Sequence, residues 1–225
     1  MLKQFQESEF GYLYTDDKVC VFFGKASANQ AYIEKEFSDF QFHKIQQTHS
    51  DRLVASSTQA LQADAHWTAN KKTGLLIATA DCIPVMILNE STKTIAAVHA
   101  GWKGICNQIT YKTLLALSTQ DSTTKDFCIW VGPHISKSSF EVKQDVLDQL
   151  LKSSFEKDKK PHFELLDEKI FVNLKSILLS QVKEAIGSNF RSSEINTDTK
   201  TATFLNSYRR DSQLSGRNLS FIGFY

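Results

Sequence analysis

The stretch from residue 75 to residue 100 constrains the fold most, because it contains three short apolar runs separated by turn residues. The runs are 75–80 (LLIATA), 84–88 (PVMIL) and 94–100 (TIAAVHA), and each has the length and β-branched content of a buried strand. The polar residues 89–93 (NESTK) are typical of a turn, so we predict a β-hairpin. Pro84 cannot donate to a strand ladder, so the chain is expected to bend before the hairpin.

Other segments of the chain predict further strands and helices. Apolar runs predict strands at 19–23, 127–131 and 219–225, and helices at 28–37 and 103–117. A capping box of Ser138 and Glu141 predicts a helix carrying Val146 on its apolar face. Asn173 predicts the start of another helix and Gly187 its end. Because strands outnumber helices and hairpins alternate with strand–helix units, we expect an α/β (α+β) fold of mixed β-sheets flanked by helices.

Length and charge narrow the class of protein. The 225 residues contain no long linker or fixed repeat, so we predict a single domain over residues 1–225. A formal net charge of +1 gives no general attraction for nucleic acid or an anionic membrane, and no apolar run approaches the roughly 18 residues of a membrane span. The opening residues MLKQFQESEF lack the apolar core of a signal peptide, so we expect a cytoplasmic protein. The sequence leaves the oligomeric state open.

Cys82 and His99 are expected to lie at the same open end of the hairpin. Seven residues lead from Cys82 to the turn and six lead from the turn to His99, so the two arms have nearly equal reach. A thiol and an imidazole are thereby brought within range of each other or of a shared ion. Two chemistries use such a pair: a Cys–His dyad with a nucleophilic thiolate, or a zinc site completed by a third ligand. His49, in QTHSDRLV, is the candidate third ligand.

The remaining cysteines and histidines are assigned mainly to structural positions. Four cysteines with no CxxC pair do not form a disulfide framework. The core is predicted for Cys20, Cys106 and Cys128, and the core or the surface for His43, His66 and His162. His134 follows a Gly-Pro pair at a strand end, where a side chain can reach a pocket.

Arginine is concentrated near the end of the sequence. Three of the five arginines, Arg209, Arg210 and Arg217, lie within SYRRDSQLSGR, although lysine is the usual cation elsewhere. This local choice indicates planar, bidentate recognition of phosphate or carboxylate. The structural alternative is an ion-pair network with Asp211. The absence of a Walker loop, GxGxxG and GxSxG from the sequence gives no support to ATPase, Rossmann dehydrogenase or α/β-hydrolase functions.

Six sequence blocks together resemble one known family. They are QTHSDRLV, ADAHWT, TADCIPVMIL, AAVHAGWKG, GPHI followed by FEV, and SYRRD followed by SGR. Their order from about residue 46 onward is similar to that of the YfiH-like laccase-domain family, whose members are labelled polyphenol oxidase or zinc-dependent purine nucleoside phosphorylase. The resemblance implies a fold similar to the cytotoxic-necrotizing-factor-like cysteine hydrolases.

The same resemblance implies a metal centre and a substrate class. It implies that His49, Cys82 and His99 bind zinc, with copper as the alternative ion, and that no organic cofactor is needed. Family members are described as phosphorolysing adenosine, inosine, guanosine and methylthioadenosine, and as deaminating adenosine. The implied partners are therefore a purine nucleoside and phosphate.

Four further residues are candidates for catalytic roles beside Cys82. Arg209 or Arg210 would hold the phosphate that attacks the anomeric carbon of the sugar. Asp81, next to Cys82, and Asp64, in ADAHWT, are carboxylates that would act in acid–base catalysis or orient the metal ligands.

Two departures and three alternatives accompany this hypothesis. The N-terminal FFGKASANQ has a single Gly where the family usually carries GGxS and an Asn-rich stretch, and the usual Thr-Cys-Thr is Thr197-Asp198-Thr199. The first alternative is a metal-free Cys82–His99 hydrolase acting on a cell-wall precursor amide, in peptidoglycan editing. The second is a copper-dependent polyphenol oxidase, for which six histidines without an HxH pair are few. The third is a non-catalytic protein in which the ion only holds loops together.

Overall fold

The structure is a computed structural model that describes residues 2–119 and 123–225. Its strands are β1 (Gln6–Glu7), β2 (Gly11–Thr15), β3 (Val19–Gly24), β4 (Gln41–Gln46), β5 (Leu53–Ala55), β6 (Leu61–Gln62), β7 (Ala65–Thr68), β8 (Thr73–Thr79), β9 (Ile83–Asn89), β10 (Thr94–Ala100), β11 (Phe127–Val131), β12 (Glu141–Val142), β13 (Phe163–Leu166), β14 (Lys169–Val172), β15 (Arg191–Glu194) and β16 (Asn218–Phe224). Its α-helices are α1 (Gln30–Glu36), α2 (Trp102–Cys106), α3 (Ile109–Leu117), α4 (Gln144–Ser153), α5 (Leu174–Ile186) and α6 (Tyr208–Asp211).

These strands form three sheets. The first has the order β1-β2-β3-β16-β8-β4-β6, the second β15-β11-β9-β10-β7-β5, and the third β12-β14-β13. Most neighbours are antiparallel, but four pairs are parallel: β4 with β8, β4 with β6, β5 with β7, and β11 with β15. The predicted α+β fold with mixed sheets flanked by helices is therefore confirmed. Among the described residues, no helix is both long and apolar enough to cross a membrane.

The two large sheets pack face to face, and helices cover their outer faces. The core between them combines side chains such as Phe23 and Leu75 from the first sheet with Met86 and Trp130 from the second. Helices α2 to α5 cover the other face of the second sheet, and α1 covers the other face of the first. Burial on both faces explains why the strands at the centre of the sheets are continuous apolar runs rather than alternating ones.

The predicted hairpin is confirmed in detail. Strands β9 and β10 pair along their whole length, with Thr94 opposite Asn89 and His99 opposite Pro84. Cys82 immediately precedes β9, and His99 is the last residue but one of β10. The two side chains therefore lie at the same end of the hairpin, as the equal arm lengths indicate.

Two helix predictions are wrong in their boundaries. The helix predicted at 103–117 is divided into α2 and α3, because Gln108 adopts a left-handed conformation with φ of 60°. The predicted capping box does not form, because Glu141 and Val142 pair with β14 instead. The helix that follows, α4, begins at Gln144. The start at Asn173 is confirmed, since its side chain accepts a hydrogen bond from the Ser176 backbone N–H.

Two histidines lie in the core between the large sheets. His43 is opposite Leu75 and His66 is opposite Ala97, and both histidines are buried. Neither ring nitrogen of His66 has a hydrogen-bond partner among the described residues. Burial, together with the nearby His43, lowers the pKa of His66 to about 3. His66 is therefore a core residue that is neutral at ordinary pH.

This burial makes the stability of the fold sensitive to acid. Between pH 6.5 and about 3 the unfolded chain binds a proton at His66 that the folded chain does not, so the free energy of unfolding falls as the pH falls. We expect the wild type to lose about 2 kcal/mol more than His66→Leu between pH 7 and pH 5. Urea unfolding at the two pH values measures this difference. Equal losses in the two proteins would contradict the assignment.

Candidate metal centre

Three side chains from distant parts of the sequence meet at one end of the β9–β10 hairpin. They are His49, in the loop between β4 and β5, Cys82, between β8 and β9, and His99, near the end of β10. Their ligand atoms all lie within 4.8 Å of one another. The Cys82 Sγ is 3.9 Å from the His49 Nε2, and the two imidazole rings are 4.9 Å apart at 77°. The trio suggested by the hairpin and the resemblance is therefore a cluster in space.

Asp64 fixes both imidazole-bearing segments of this cluster. The carboxylate is fully buried, and the His99 Nδ1 donates to it at 2.8 Å. The backbone N–H groups of Thr48, His49 and Ser50 also donate to it, at 3.1, 3.0 and 2.6 Å. Because Nδ1 is used in this way, His99 presents Nε2 to the cluster, and the loop carrying His49 is tied to the same carboxylate.

The charges around Cys82 favour the ligand form of the thiol. Burial opposes its ionisation, but hydrogen bonds with His49 and His99 outweigh burial and lower the pKa of Cys82 to about 7. Burial likewise opposes protonation of His99, but its bonds to Asp64 and Cys82 outweigh burial and raise its pKa to about 9. Burial also opposes ionisation of Asp64, yet the hydrogen bonds that it accepts hold its pKa well below the ordinary range.

This donor set fits a zinc ion. In a tetrahedral zinc site with the usual bond lengths, a sulfur and a nitrogen ligand are separated by about 3.6 Å, close to the 3.9 Å between Cys82 and His49. One thiolate and two imidazoles leave a fourth position for water or substrate, which is typical of catalytic zinc. Over residues 2–119 and 123–225, this is the one group of three or more His, Cys, Asp or Glu side chains close enough to share an ion.

Gly101 leaves room for two of the ligands. A Cβ at this position would lie 2.9 Å from the His49 Cδ2 and 3.1 Å from the Cys82 Sγ. The backbone of Gly101, with φ of −72°, would itself accept any residue, so the constraint is purely steric. Glycine is thus required here by the cluster rather than by the helix that it precedes.

Substituting this glycine is therefore expected to damage the centre while leaving the fold intact. We expect Gly101→Ala to weaken zinc binding by about 10- to 100-fold, because both ligands must move. Competition with a chromophoric chelator measures the affinity. Gly104→Ala is the matched control, since its nearest contacts are at 3.3 Å and involve no ligand side chain. Equal affinities for the two variants would contradict the prediction.

The cluster lies in the wall of a cavity whose volume is about 630 Å³. Three aromatic side chains, Trp102, Phe140 and Tyr208, and two arginines, Arg209 and Arg217, also line it. The remaining lining residues are Gln47, Ala78, Ala80, Asp81, Ile135 and Leu174. The centre therefore opens into a space with an apolar, aromatic part and a cationic part.

Asp81 connects the His49–Cys82–His99 cluster to the arginine segment. Its φ is +83°, and its carboxylate oxygens accept hydrogen bonds from the Thr199 hydroxyl and the Arg209 backbone N–H, both at 2.6 Å. This arrangement places α6 against the turn that carries Cys82. Asp81 is thus located to position Arg209 relative to the cluster.

The structure separates the three clustered arginines. Arg209 donates to the Glu141 carbonyl oxygen at 2.9 Å and lies over the Phe140 ring at 5.2 Å. Arg210 is outside the cavity lining. Its guanidinium pairs with Asp211 and also donates to the carbonyl oxygens of residues 199, 200, 202 and 205. Arg217 lines the cavity, although the sequence assigned it no specific role. The ion pair with Asp211 therefore describes Arg210, and phosphate recognition remains a prediction for Arg209.

The aromatic residues of the cavity were missed by the sequence analysis. Trp102, Phe140 and Tyr208 come from α2, from the segment before β12 and from α6, so no local pattern links them. Each lies within a sequence block used for the resemblance, which was the signal available. His134 is buried and lies outside the cavity lining, so it does not reach this pocket.

A family model described as multi-copper polyphenol oxidoreductase laccase matches residues 2–225. The chain belongs to this family. The match includes the N-terminal region, where the sequence departs from the motifs expected. Membership in this laccase family also suggests a metal, which is consistent with the His-Cys-His cluster.

Curated relatives agree with this membership, and solved structures show the same fold. A purine nucleoside phosphorylase of Clostridium acetobutylicum is 31% identical, over 79% of this chain and 75% of the relative. A purine nucleoside phosphorylase of Haemophilus influenzae is also 31% identical, over 80% and 73%. The fold is similar to that of hypothetical protein YfiH of Bacillus licheniformis, with a TM-score of 0.85, 20% identity and coverage of 98% and 99%. YlmD of Geobacillus stearothermophilus gives a TM-score of 0.85 at 18% identity, with 97% of each chain covered.

Proposed function

We propose that this chain is a zinc-dependent purine nucleoside phosphorylase that also deaminates adenosine. The observation that carries the proposal is the His49–Cys82–His99 cluster in the wall of a cavity with aromatic and arginine side chains. The relatives named purine nucleoside phosphorylase support the same reaction class. Zinc held by the three ligands would supply a Lewis acid with one open position.

The aromatic part of the cavity suits a purine. Phe140 is largely buried, whereas Tyr208 is half exposed and can meet a flat ring from the solvent side. A volume of about 630 Å³ is in the range of pockets that enclose small organic ligands. Stacking on these side chains would orient the base without selecting a particular purine.

The cationic part of the cavity suits phosphate. Neither Arg209 nor Arg217 forms an ion pair with a carboxylate among the described residues, so their charges are available to an anionic ligand. In phosphorolysis, a phosphate oxygen bonds to the anomeric carbon while the bond from that carbon to the purine nitrogen breaks. The purine leaves with the bonding electrons and takes up a proton. The two arginines would hold the phosphate and stabilise its charge during this transfer.

The two aspartates would act through their neighbours in this reaction. Asp64 is fully buried behind His99, so it would orient that ligand. Asp81 would orient Arg209 through the backbone N–H. In deamination, water adds to the amine-bearing carbon of adenine and ammonia leaves, and the same cavity would bind the base.

A product assay combined with metal analysis tests the proposal. We expect about one zinc per chain, hypoxanthine or adenine released from inosine or adenosine only with phosphate, and inosine formed from adenosine without it. His49→Ala should remove zinc and both activities while the thermal unfolding transition remains. An active protein without metal, or no turnover of any purine nucleoside by the zinc-loaded protein, would overturn it. If the protein contains copper in place of zinc, only the identity of the metal in the proposal changes.

Arg209 is expected to control the phosphate requirement. Arg209→Lys loses planar, bidentate contacts, so the phosphate concentration for half-maximal rate should rise about 10-fold or more, while deamination without phosphate changes little. Initial rates at varied phosphate concentration measure this. Arg52→Lys, at an exposed position outside the cavity lining, is the control. Unchanged phosphate dependence in Arg209→Lys would show that Arg209 does not bind phosphate.

A second candidate is a Cys–His hydrolase. Asp64, His99 and Cys82 are connected in the order that a hydrolytic triad requires, with the imidazole between the carboxylate and the thiol. Alkylation of Cys82 in a metal-free, active protein that cleaves amides would favour it. Polyphenol oxidation by several coppers would need more than the single three-ligand cluster found among the described residues.

A further inference from the structure

Strand β13 is an unprotected edge of the third sheet. It pairs only with β14 in the order β12-β14-β13, so its outer side has no neighbouring strand among the described residues. Leu165 is 66% exposed and Leu166 is 55% exposed. Edge strands are usually protected by charges, proline or bulges, because unpaired backbone groups next to apolar side chains promote pairing with another chain.

The backbone of Leu165 is directed toward this open edge. Asp167 and Glu168, both with positive φ, form a two-residue turn between Leu166 and Lys169. In such a hairpin the residues next to the turn form a hydrogen-bonded pair, and the pairs then alternate. The pair of Leu165 with Ile170 is therefore not hydrogen-bonded, so the N–H and C=O of Leu165 point outward.

Opposite charges lie at the two ends of the edge. Lys157 and Lys160 precede β13, and Asp167 and Glu168 follow it. All four are exposed, and none forms an ion pair within the described part of the chain. By contrast, Glu164 on the strand is paired with Lys137. Asp158 lies between the two lysines and accepts a hydrogen bond from the Lys160 backbone N–H, and Lys169 is paired with Glu141. The edge therefore carries a net positive charge at its beginning, over residues 157–160, and the side chains without an ion pair at its end are acidic.

We propose that β13 pairs with β13 of a second copy of this chain, antiparallel and around a two-fold axis at Leu165. Antiparallel pairing brings the basic beginning of each strand to the acidic end of the other. The two Leu165 residues exchange their outward N–H and C=O groups, and their side chains contact each other across the axis. The two-fold axis creates two equivalent contacts between opposite charges, because each copy contributes one basic and one acidic end.

This pairing leaves the candidate metal centre open. Phe140, which lines the cavity, precedes β12, and β14 separates β12 from β13 in the sheet. The paired edges are therefore on the side of the third sheet away from the residue that meets the cavity. A four-residue edge gives a small contact, so the dimer is expected to exchange with monomer at micromolar concentrations.

Sedimentation of the full chain from low to several hundred micromolar tests the proposal. We expect the average mass to rise from 25.5 kDa toward twice that value. Leu165→Lys should weaken the dimer by about 10-fold or more, since it places two like charges at the axis. Leu214→Lys, at a 94% exposed leucine outside the edge, is the matched control and should not change the dimer. Circular dichroism and thermal unfolding check that each variant is folded.

Charge reversal distinguishes the proposed antiparallel pairing of the two β13 strands from other ways in which two copies could associate. Glu168→Lys alone should weaken the dimer about 10-fold, and adding Lys160→Glu should restore most of the affinity, because opposite charges then meet again. A monomer at every concentration would overturn the proposal. So would a dimer indifferent to Leu165→Lys, or a charge-reversed pair that is no tighter than Glu168→Lys alone.

Discussion

Replacing Cys82 with alanine is expected to eliminate stoichiometric zinc and to lower nucleoside turnover by about a thousandfold or more. Cys82 would supply the one anionic ligand of the proposed zinc site, and two imidazoles alone hold zinc far less tightly. The side chain lies at a turn that opens into the cavity, so its truncation leaves the packing between the sheets unchanged. Metal analysis after dialysis and initial rates with inosine and phosphate measure the two effects.

Cys106→Ala is the matched control for this variant. Cys106 is a partly exposed thiol in α2 that is outside the cluster, so zinc content and turnover should remain those of the wild type. The melting temperatures of both variants, measured with chelator present, should be close to that of the wild type treated in the same way. Full zinc content in Cys82→Ala would contradict the assignment of the ligand set.

Asp64→Ala is expected to have the largest effect on stability, about 3–5 kcal/mol of unfolding free energy even without metal. The carboxylate is fully buried and accepts hydrogen bonds from His99 and from the backbone of the loop that carries His49. Removing it leaves the buried His99 Nδ1 and three backbone N–H groups of the loop without their acceptor, and it frees the His99 imidazole and the loop that carries His49 to reorient. Urea unfolding in the presence of chelator measures the change in unfolding free energy of the metal-free protein, without any contribution from zinc binding.

Asp51→Ala is the control, because its exposed ion pair with Lys112 should contribute less than about 1 kcal/mol. The loss of unfolding free energy in Asp64→Asn should lie between the losses in Asp64→Ala and Asp51→Ala, since the amide oxygen still accepts some of the hydrogen bonds. Zinc affinity should fall about 10- to 100-fold in Asp64→Asn. A loss in Asp64→Ala no larger than that in Asp51→Ala would show that the carboxylate does not organise the loop.

The sequence predicted the position of Cys82 and His99 for a geometric reason. Both residues flank one hairpin, and equal arm lengths place them at the same end without knowledge of the rest of the fold. The residues alone made His49 no more than a candidate third ligand, and the family resemblance supplied the argument for it. The position of His49 depends on its own left-handed backbone conformation, with φ of 59°, and on the hydrogen bond from its backbone N–H to Asp64, fifteen residues further along the chain. Such a long-range bond leaves no periodic pattern.

The errors in helix boundaries have a similar origin. Ser138 and Glu141 have the spacing of a capping box, but the backbone of Glu141 forms a strand pair with Phe171. Gln108 is an ordinary helix-forming residue, and its left-handed conformation reflects the junction between α2 and α3. In both cases tertiary contacts override local preference.

Adjacent residues can also serve unlike purposes. Arg209 and Arg210 are the same residue type at adjacent positions, but the side chains of successive residues on a helix point about 100° apart. One guanidinium therefore lines the cavity while the other binds the backbone of residues 199–205. The direction of each side chain is set by the placement of α6, which Asp81 and Ser207 hold.

The position of β16 in the first sheet bears on how the chain folds during synthesis. This strand lies between β3 and β8 and pairs with both of them. A nascent polypeptide emerging from the ribosome therefore carries two strands with empty inner edges until residues 218–224 have been made. These open edges are exposed to pairing with other chains in the meantime, and the first sheet is completed only after residues 218–224 have been synthesised.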